Sequence, residues 1–522
     1  LYNQGQFEAV IEQAQSLTKQ YPQAFVIWNI LGAAYKGLGK VEEASEAFKK
    51  VTELNPHYAN GFNDLGITLQ TLGKYEEAIK AYKNALLLRP NYAEVYNNIG
   101  NTLKDQGKLN KALDAYKQAV LLIPDTPEIH NNLGLTLTEQ GKFDEAIEAY
   151  DRALSLRPDY FEAYNNKGNA LKDQGKLEEA ISSYKKAIKI KPDFADAHVN
   201  LSFVLLSYGK LKEGLDEYEW RWKTNKFLSQ QRHFSQPLWN GKQSLKDKTI
   251  LLWSEQGIGD TINWSSLIPF VSSQAKHCIL ECQEKLVPLI ERSFPNLEVK
   301  AVNKSLDLER DDFDFHLPMG SLYKHFIHKV ERKSKIEPYL IPNLERVKYW
   351  KERLKSLGNG PFIGISWKSS DMSTIRIPNY SSISEWSSIL TIPDVTFINL
   401  QSKDYEDDLK EIEDEFGVKV HNFDDLDQFN NIDDVAALCR ALDMVVSNKT
   451  TTPLISAGVG TLTKLANWKQ SSWNNILLNP PGPLVDIFER NTWEPWDKVF
   501  NLIKNDTLKI ININNDNRNL QC

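Results

Sequence analysis

Pro22, Pro56, Pro90, Pro124, Pro158 and Pro192 stand 34 residues apart, and Gly39, Gly73, Gly107, Gly141, Gly175 and Gly209 keep the same beat. Such a period constrains the architecture more tightly than composition does. One unit cannot bury its own apolar face, so it must stack on the next. Small residues recur at Gly32, Gly66, Gly100, Gly134 and Gly168, and again at Ala44, Ala78, Ala112, Ala146 and Ala180. They let two helices approach, large rings at Phe48, Tyr82, Tyr116, Tyr150, Tyr184 and Tyr218 fill the gap, and the proline stops the second helix. The expected units are 25–58, 59–92, 93–126, 127–160 and 161–194, with 1–24 the remnant of an earlier one and a degenerate unit from 195. In that last unit Gly214 replaces the alanine, Lys226 replaces the proline, and Tyr218, Trp220 and Trp222 cluster. It reads either as an end cap or as a cap docked on the domain that follows.

The pattern resembles the tetratricopeptide repeat, and the resemblance implies an all-α superhelix over 1–226. One polar column runs along it: Asp64, Asn98, Asn132, Asn166 and Asn200, one per repeat on the first helix. An amide donates and accepts, so a ladder of amides suits an extended polypeptide with little preference for its side chains. The column is similar to the asparagine ladder of O-linked N-acetylglucosamine transferases, which implies a protein acceptor; the alternative is a polar consensus without a ligand. The neighbouring column Asn29, Asn63, Asn97, Asn131 and Asn165 reads as solvated or structural.

A formal charge of −7 gives no global reason to expect nucleic acid as a partner, and no apolar run approaches the roughly 18 residues of a membrane span. The four cysteines, Cys278, Cys282, Cys439 and Cys522, are too few for a disulfide framework and lack zinc-ligand spacing. Reduced thiols and a cytoplasmic location are the expectation. Leu1 falls inside the repeat pattern, which leaves room for a preceding segment. Oligomeric state has no sequence signature here.

From 227 to 246 the period is lost in a connector containing Pro237, Trp239 and Gly241. Short apolar runs then alternate with helical patterns, as in parallel α/β units. Strands are expected at 249–254, 277–282, 297–302 and 313–317, then at 362–367, 395–400, 418–421, 443–447 and 475–478, with Leu344 to Leu357 a helix crossing between the two sets. In the first unit Gly257 and Gly259 permit a tight turn after a buried strand, and Asp260 stands where a helix begins. Asp260 is either an N-cap or a chemical group. Ile262, Leu267, Ile268 and Val271 form the helix's apolar face, which Pro269 should interrupt. Lys368 ends the run FIGISWK, where ligands of open parallel sheets bind; Arg376 follows on a loop, and Gln401 ends the run FINLQ at the same edge. In SNKTTTPLISAGVG, Thr450, Thr451 and Thr452 offer hydroxyls and backbone N–H groups either to a phosphate or to helix capping. The acidic run Asp424, Asp425, Asp427, Asp433 and Asp434 suits capping and solvation better than a metal, and Trp493 and Trp496 suit core packing better than a cleft wall.

LLWSEQGIGDTINWSSLIPF, FIGISWKSS, FINLQS, DDVAALCRALDMVVSN and the threonine run resemble, in order and spacing, repeat-bearing glycosyltransferases of the heptosyltransferase-like superfamily, similar to bacterial flagellin and protein O-glycosyltransferases. The resemblance implies a GT-B pair of Rossmann-like lobes, an acceptor-side lobe at 247–343 and a donor lobe at 344–510, with a frayed tail at 511–522. It implies Asp260 as general base toward the acceptor hydroxyl. It assigns donor contacts to Gly257, Gly259, Lys368, Arg376, Gln401, Lys449, Thr450, Thr451 and Thr452. No metal or cofactor is called for; a nucleotide-sugar is the substrate, and flagellin or another surface protein is the acceptor class. The chain departs from the family at Leu454, where a histidine is usual, and at Lys449. Two alternatives follow: a non-catalytic scaffold with a decayed transferase domain, which Leu454 favours, and a transferase acting on a glycan or lipid-linked acceptor.

Overall fold

The computed structural model describes residues 4–228, 230–330, 337–369, 380–468, 485–490 and 494–519, and the chain divides into two compact units, Leu1–Ala197 and His198–Cys522. The first unit opens with the helix Phe7–Gln20 and continues as helix pairs: Phe25–Gly37 with Val41–Leu54, Ala59–Thr71 with Tyr75–Leu88, Ala93–Asp105 with Leu109–Leu122, Pro127–Glu139 with Phe143–Leu156, and Phe161–Asp173 with Leu177–Ile190. Two recurring devices explain the period. At each turn within a pair a glycine takes a left-handed backbone, as at Gly73 (φ 71°), and closes the preceding helix: Gly73 N–H donates to Gln70 O and Lys74 N–H to Leu69 O, both at 2.9 Å. Within each pair a second glycine lies under a ring. A Cβ at Gly66 would stand 2.4 Å from Tyr82 Cε1 and one at Gly100 2.5 Å from Tyr116 Cε1, so only glycine lets these helices close over a fully buried tyrosine.

The second unit begins inside the degenerate repeat. Its helix Leu211–Tyr218 runs into a 3-10 turn, Glu219–Lys223, and Tyr218 joins the apolar cluster that holds Ile250, Leu252 and Trp239. Trp222 packs on Trp253 with ring centroids 5.4 Å apart. The terminal repeat is therefore a docked cap rather than a free end.

The α/β region contains two parallel sheets. In the first, β1 (Thr249–Trp253), β2 (His277–Cys282), β3 (Glu298–Ala301) and β4 (Phe315–Pro318) take the order β3-β2-β1-β4. The helix after β1 breaks where Pro269 predicts, into Ile258–Ser265 and Ile268–Ser272, and Ile262, Leu267, Ile268 and Val271 are buried. In the second sheet, β5 (Phe362–Ser366), β6 (Thr396–Asn399), β7 (Val420–His421), β8 (Met444–Asn448), β9 (Leu462–Trp468) and β10 (Val485–Arg490) take the order β10-β9-β8-β5-β6-β7. That is the doubly wound order of dinucleotide-binding sheets, reversing direction between β5 and β8. The expected strand at 475–478 lies outside the described residues, whereas β9 and β10 were not expected. The final helix, Asp497–Asn519, also corrects the expected frayed tail: it continues past Ile511, with Val499, Phe500 and Ile503 buried against the second sheet.

The two sheets are joined closely. One apolar cluster runs from Leu252 on β1 through Leu340 to Ile398 and Val445 on β6 and β8. Arg292 pairs with Asp433, and Arg346 grips Asp434 at 2.8 and 2.7 Å. The acidic run thus includes partners in ion pairs that tie elements together. No helix among the described residues is long and apolar enough to cross a membrane.

Candidate functional site

In an open parallel sheet the crevice forms where strand order reverses, at the carboxyl ends of the strands. In the first sheet that point lies between β1 and β4, and the chain fills it with its own residues. Glu255, two residues past β1, is fully buried and accepts from Gly320 N–H at 2.8 Å. Arg221 of the capping repeat, equally buried, donates to both Glu255 oxygens at 3.0 and 2.9 Å, to Ser321 Oγ at 2.9 Å and to Glu219 at 2.7 Å. Burial works against both charges, but each offsets it in the other, and Glu255 with Glu219 holds Arg221 above its ordinary value. Gln256 donates to Tyr218 Oη at 2.6 Å, so the capping repeat also grips the next residue of the turn. No motif announced this network: Arg221 and Glu255 are 34 residues apart on elements of different kinds.

The turn so held delivers Asp260. The N-cap of the following helix is Gly257, so Asp260 is the third helical residue and not the N-cap itself, a position from which a carboxylate can still reach back over the cap. Its carboxylate lies over the turn: a Cβ at Gly257 would stand 3.6 Å from Asp260 Oδ2. Gly259 faces the second sheet. A Cβ there would meet Leu454 Cδ1 at 3.2 Å and Thr451 Oγ1 at 3.3 Å, which brings the glycine turn after β1 against the threonine turn after β8.

At the reversal point of the second sheet, Ser366 on β5 is paired in register with Ser447 on β8, and Thr450 Oγ1 lies 3.4 and 3.3 Å from their hydroxyls. Thr451 stands at the N-cap position of a seven-residue helix, Thr452–Gly458, without a side-chain cap bond, and Pro453 is its second residue. Thr452 N–H donates to Thr450 Oγ1 at 3.3 Å, so part of this donor set is already engaged. Lys449 is half-buried in the same turn. Two buried oxygens at these strand ends, Ser254 Oγ after β1 and Asn448 Oδ1 on β8, have no hydrogen-bond partner among the described residues.

Two expected donor contacts are committed elsewhere. Gln401 is buried, and its Oε1 accepts from the backbone N–H groups of Trp367 and Lys368 at 3.3 and 3.0 Å, so it clamps β5 to the end of β6 instead of facing a nucleotide. Lys368 pairs with Asp408 at 2.5 Å, and Trp367 Nε1 donates to the same carboxylate at 2.7 Å, so the lysine charge is already balanced. Arg376 lies outside the described residues, as does Trp493; Trp496 is buried in the apolar cluster of the second sheet. A concavity lined by Asp486, Phe488, Glu489 and Asp506 sits at the β10 edge, two strands away from β8. Among the described residues no cluster of three or more His, Cys, Asp or Glu is disposed to hold a metal.

In the repeats, the two polar columns prove to be one device. Asn98, Asn132 and Asn166 each donate from Nδ2 to the Oδ1 of Asn63, Asn97 and Asn131 of the preceding repeat, at 2.9, 3.0 and 3.0 Å. The inner column is the structural one, with Asn63 and Asn131 buried. Each outer amide, half-buried, keeps its carbonyl oxygen and one N–H outside that bond. Asp64 begins the column in this unit, and Asn200 belongs to the second unit.

With this geometry described, the comparisons fall into place. Family models described as TPR repeat match residues 71–107, 100–140, 134–175 and 168–209, and models described as tetratricopeptide repeat match 26–58 and 47–80. The N-terminal region of about 210 residues is a tetratricopeptide-repeat array, a fold class built to hold other proteins. Protein FlbA of Caulobacter vibrioides is 29% identical over 276 residues, 49% of this chain and 46% of that protein. The chain thus spans about half the length of this curated relative. Among solved structures, a MamA crystal structure shares 29% identity (TM-score 0.29, covering 31% of this chain and 95% of that chain), and pilF of Pseudomonas aeruginosa shares 21% (TM-score 0.34, covering 40% and 94%). At these scores neither structure bears on what the chain does.

Proposed function

We propose that the chain is a glycosyltransferase of the GT-B type, moving a sugar from a nucleotide-sugar to Ser or Thr hydroxyls of a protein held by the repeats. One observation carries this reading: the Gly259 turn and the Thr451 turn, each after a central strand of its own parallel sheet, are in contact. Parallel sheets gather ligand-binding loops at these edges, so a donor on the second sheet would lie beside Asp260. Asp260 then takes the acceptor proton as its oxygen attacks the anomeric carbon, and the threonine turn meets the leaving phosphate. The partial likeness to FlbA gives weak support. The acceptor, flagellin or another surface protein, follows only from the family resemblance, and a cytoplasmic site of action rests on the sparse cysteines.

A second reading, a scaffold whose transferase domain no longer acts, is favoured by the Lys368–Asp408 pair, by the internal role of Gln401 and by Leu454 standing against Gly259. The test is release of nucleoside diphosphate from a panel of nucleotide-sugars by the parent and by Asp260→Asn. Asn keeps an acceptor oxygen at this first-turn position, so the substitution should leave stability nearly unchanged while lowering turnover about 100- to 10,000-fold. Parental turnover in the variant would remove Asp260 as the base. A parent that releases nothing from any donor would support the scaffold.

A further inference from the structure

The asparagine ladder is interrupted at one rung. In three successive repeats an outer amide donates to an inner amide carbonyl 35 residues earlier: Asn98 to Asn63, Asn132 to Asn97 and Asn166 to Asn131. The same offset of 35 residues leads from Asp64 back to Asn29, so the repeat geometry of the other rungs assigns the two to one rung. An ionised aspartate has no hydrogen to give, and Asn29 Oδ1 is buried without a partner among the described residues. A buried carbonyl stripped of its donor carries the full cost of its desolvation. The charged groups around Asp64 are Lys36 from the preceding repeat and Glu94 from the following one, with Tyr82 and Tyr92 the other titratable neighbours. Glu94 accepts from Asn63 Nδ2 at 3.4 Å, which keeps a second carboxylate close to the rung.

We propose that Asp64 serves as a protonated rung whose carboxylic O–H donates to Asn29 Oδ1 in place of the amide, so that the length of the ladder is set by pH. The inference goes beyond the transferase reading and does not depend on it. Burial raises the Asp64 carboxyl to about 6, with Lys36 opposing and Glu94 adding to the rise. This folded value lies above the roughly 3.9 of an unfolded aspartate, so the folded array holds the extra proton between them. The contribution to stability is therefore fully present below about 4 and is lost as pH rises through about 6.

The test is carbon-13 spectroscopy of side-chain carboxyls in the full chain, with Asp64→Asn supplying the assignment. The resonance missing from the variant should titrate near 6. Asn at 64 restores the amide donor, so Asp64→Asn should melt about 2–4 °C above the parent at pH 8, the shift of one regained hydrogen bond in an array of this size, and match it at pH 5. In an Asn29→Ala background that gain should vanish. A carboxyl titrating near 4 would overturn the proposal, since it would mean that the Asn29 amide is turned to donate to an ionised Asp64. An Asp64→Asn variant that gains nothing at pH 8 would overturn it equally.

Discussion

Replacing Arg221 by Met tests whether the capping repeat holds the first sheet's turn through charge. The guanidinium has no exposed surface, and the substitution removes its contacts to Glu255, Glu219, Ser321 and the Tyr218 carbonyl. Glu255 would remain fully buried with the Gly320 N–H its one partner among the described residues. Breaking a buried pair by removing one partner costs about 3–5 kcal/mol, most of it the stranded charge. Glu255→Gln in the same chain takes that charge away and keeps an acceptor for Gly320, so Arg221→Met with Glu255→Gln should cost about 2 kcal/mol less than the two single costs added. The single variant should also become pH-dependent. Without Arg221, burial and the Glu219 charge, opposed by the Gly320 N–H, raise the folded value of Glu255 further above the unfolded one, so the loss grows as pH rises and is smaller at pH 5 than at pH 8. Urea unfolding followed by tryptophan fluorescence suits the question, because Trp222 and Trp253 pack beside the network. A single variant costing under about 1 kcal/mol, or strictly additive costs at both pH values, would refute an electrostatic joint.

Gly100→Ala should destabilise the array by about 1–3 kcal/mol even though alanine is the better helix former, because its methyl would stand 2.5 Å from the buried Tyr116 ring; a raised melting temperature would show that the helices can part without loss. Burial pushes the thiols of Cys278, Cys282 and Cys439 up to about 12, so in a Cys522→Ser chain none should react with a disulfide reagent at pH 8 until denaturant is added, and rapid labelling of any of them in the native protein would contradict the packing.

The repeats were legible because their period states a contact: Gly66 and Tyr82 are small and large for one reason, and the reason recurs. The strands around the candidate site were legible where an apolar run is buried on both faces, as in Thr249–Trp253 and Met444–Asn448. Strand β9 escaped notice because Lys464 interrupts its run. That lysine is buried, held by Asp486 on β10 and Asp506 on the last helix, and such distant neutralisation leaves no local trace. The final helix was hidden by its asparagines, although Leu508, Ile510 and Ile511 pack on the second sheet. At the site, sequence placed the turn of Asp260 and the threonines at strand ends but could not tell an offered side chain from a committed one. Gln401 and Lys368 end their strands as ligand residues do, and only folding shows that one clamps backbone N–H groups and the other answers Asp408.

The two sheets differ in how their reversal points are occupied, and the difference bears on where a small ligand can bind. Between β1 and β4 the crevice holds Glu255 and Arg221, and Gly320 approaches so closely that a Cβ there would fall 2.1 Å from Glu255 Oε1. A ligand phosphate has no place among those groups: it would have to displace a fully buried carboxylate from its guanidinium partner. Between β5 and β8 the lining is hydroxyl-bearing, Ser366, Ser447 and Thr450, with the unpartnered Asn448 oxygen beside it and the half-buried Lys449 in the same turn. Neutral hydroxyls exchange partners at little cost, so the second sheet can admit a polar ligand without breaking an ion pair. On the transferase proposal, the first sheet is the platform that the capping repeat locks, and its part in the chemistry is what the locked turn presents at Gly259 and Asp260. The capping segment and the turn that precedes Asp260 are thus joined at Tyr218 and Arg221, the two side chains that grip Gln256 and Glu255.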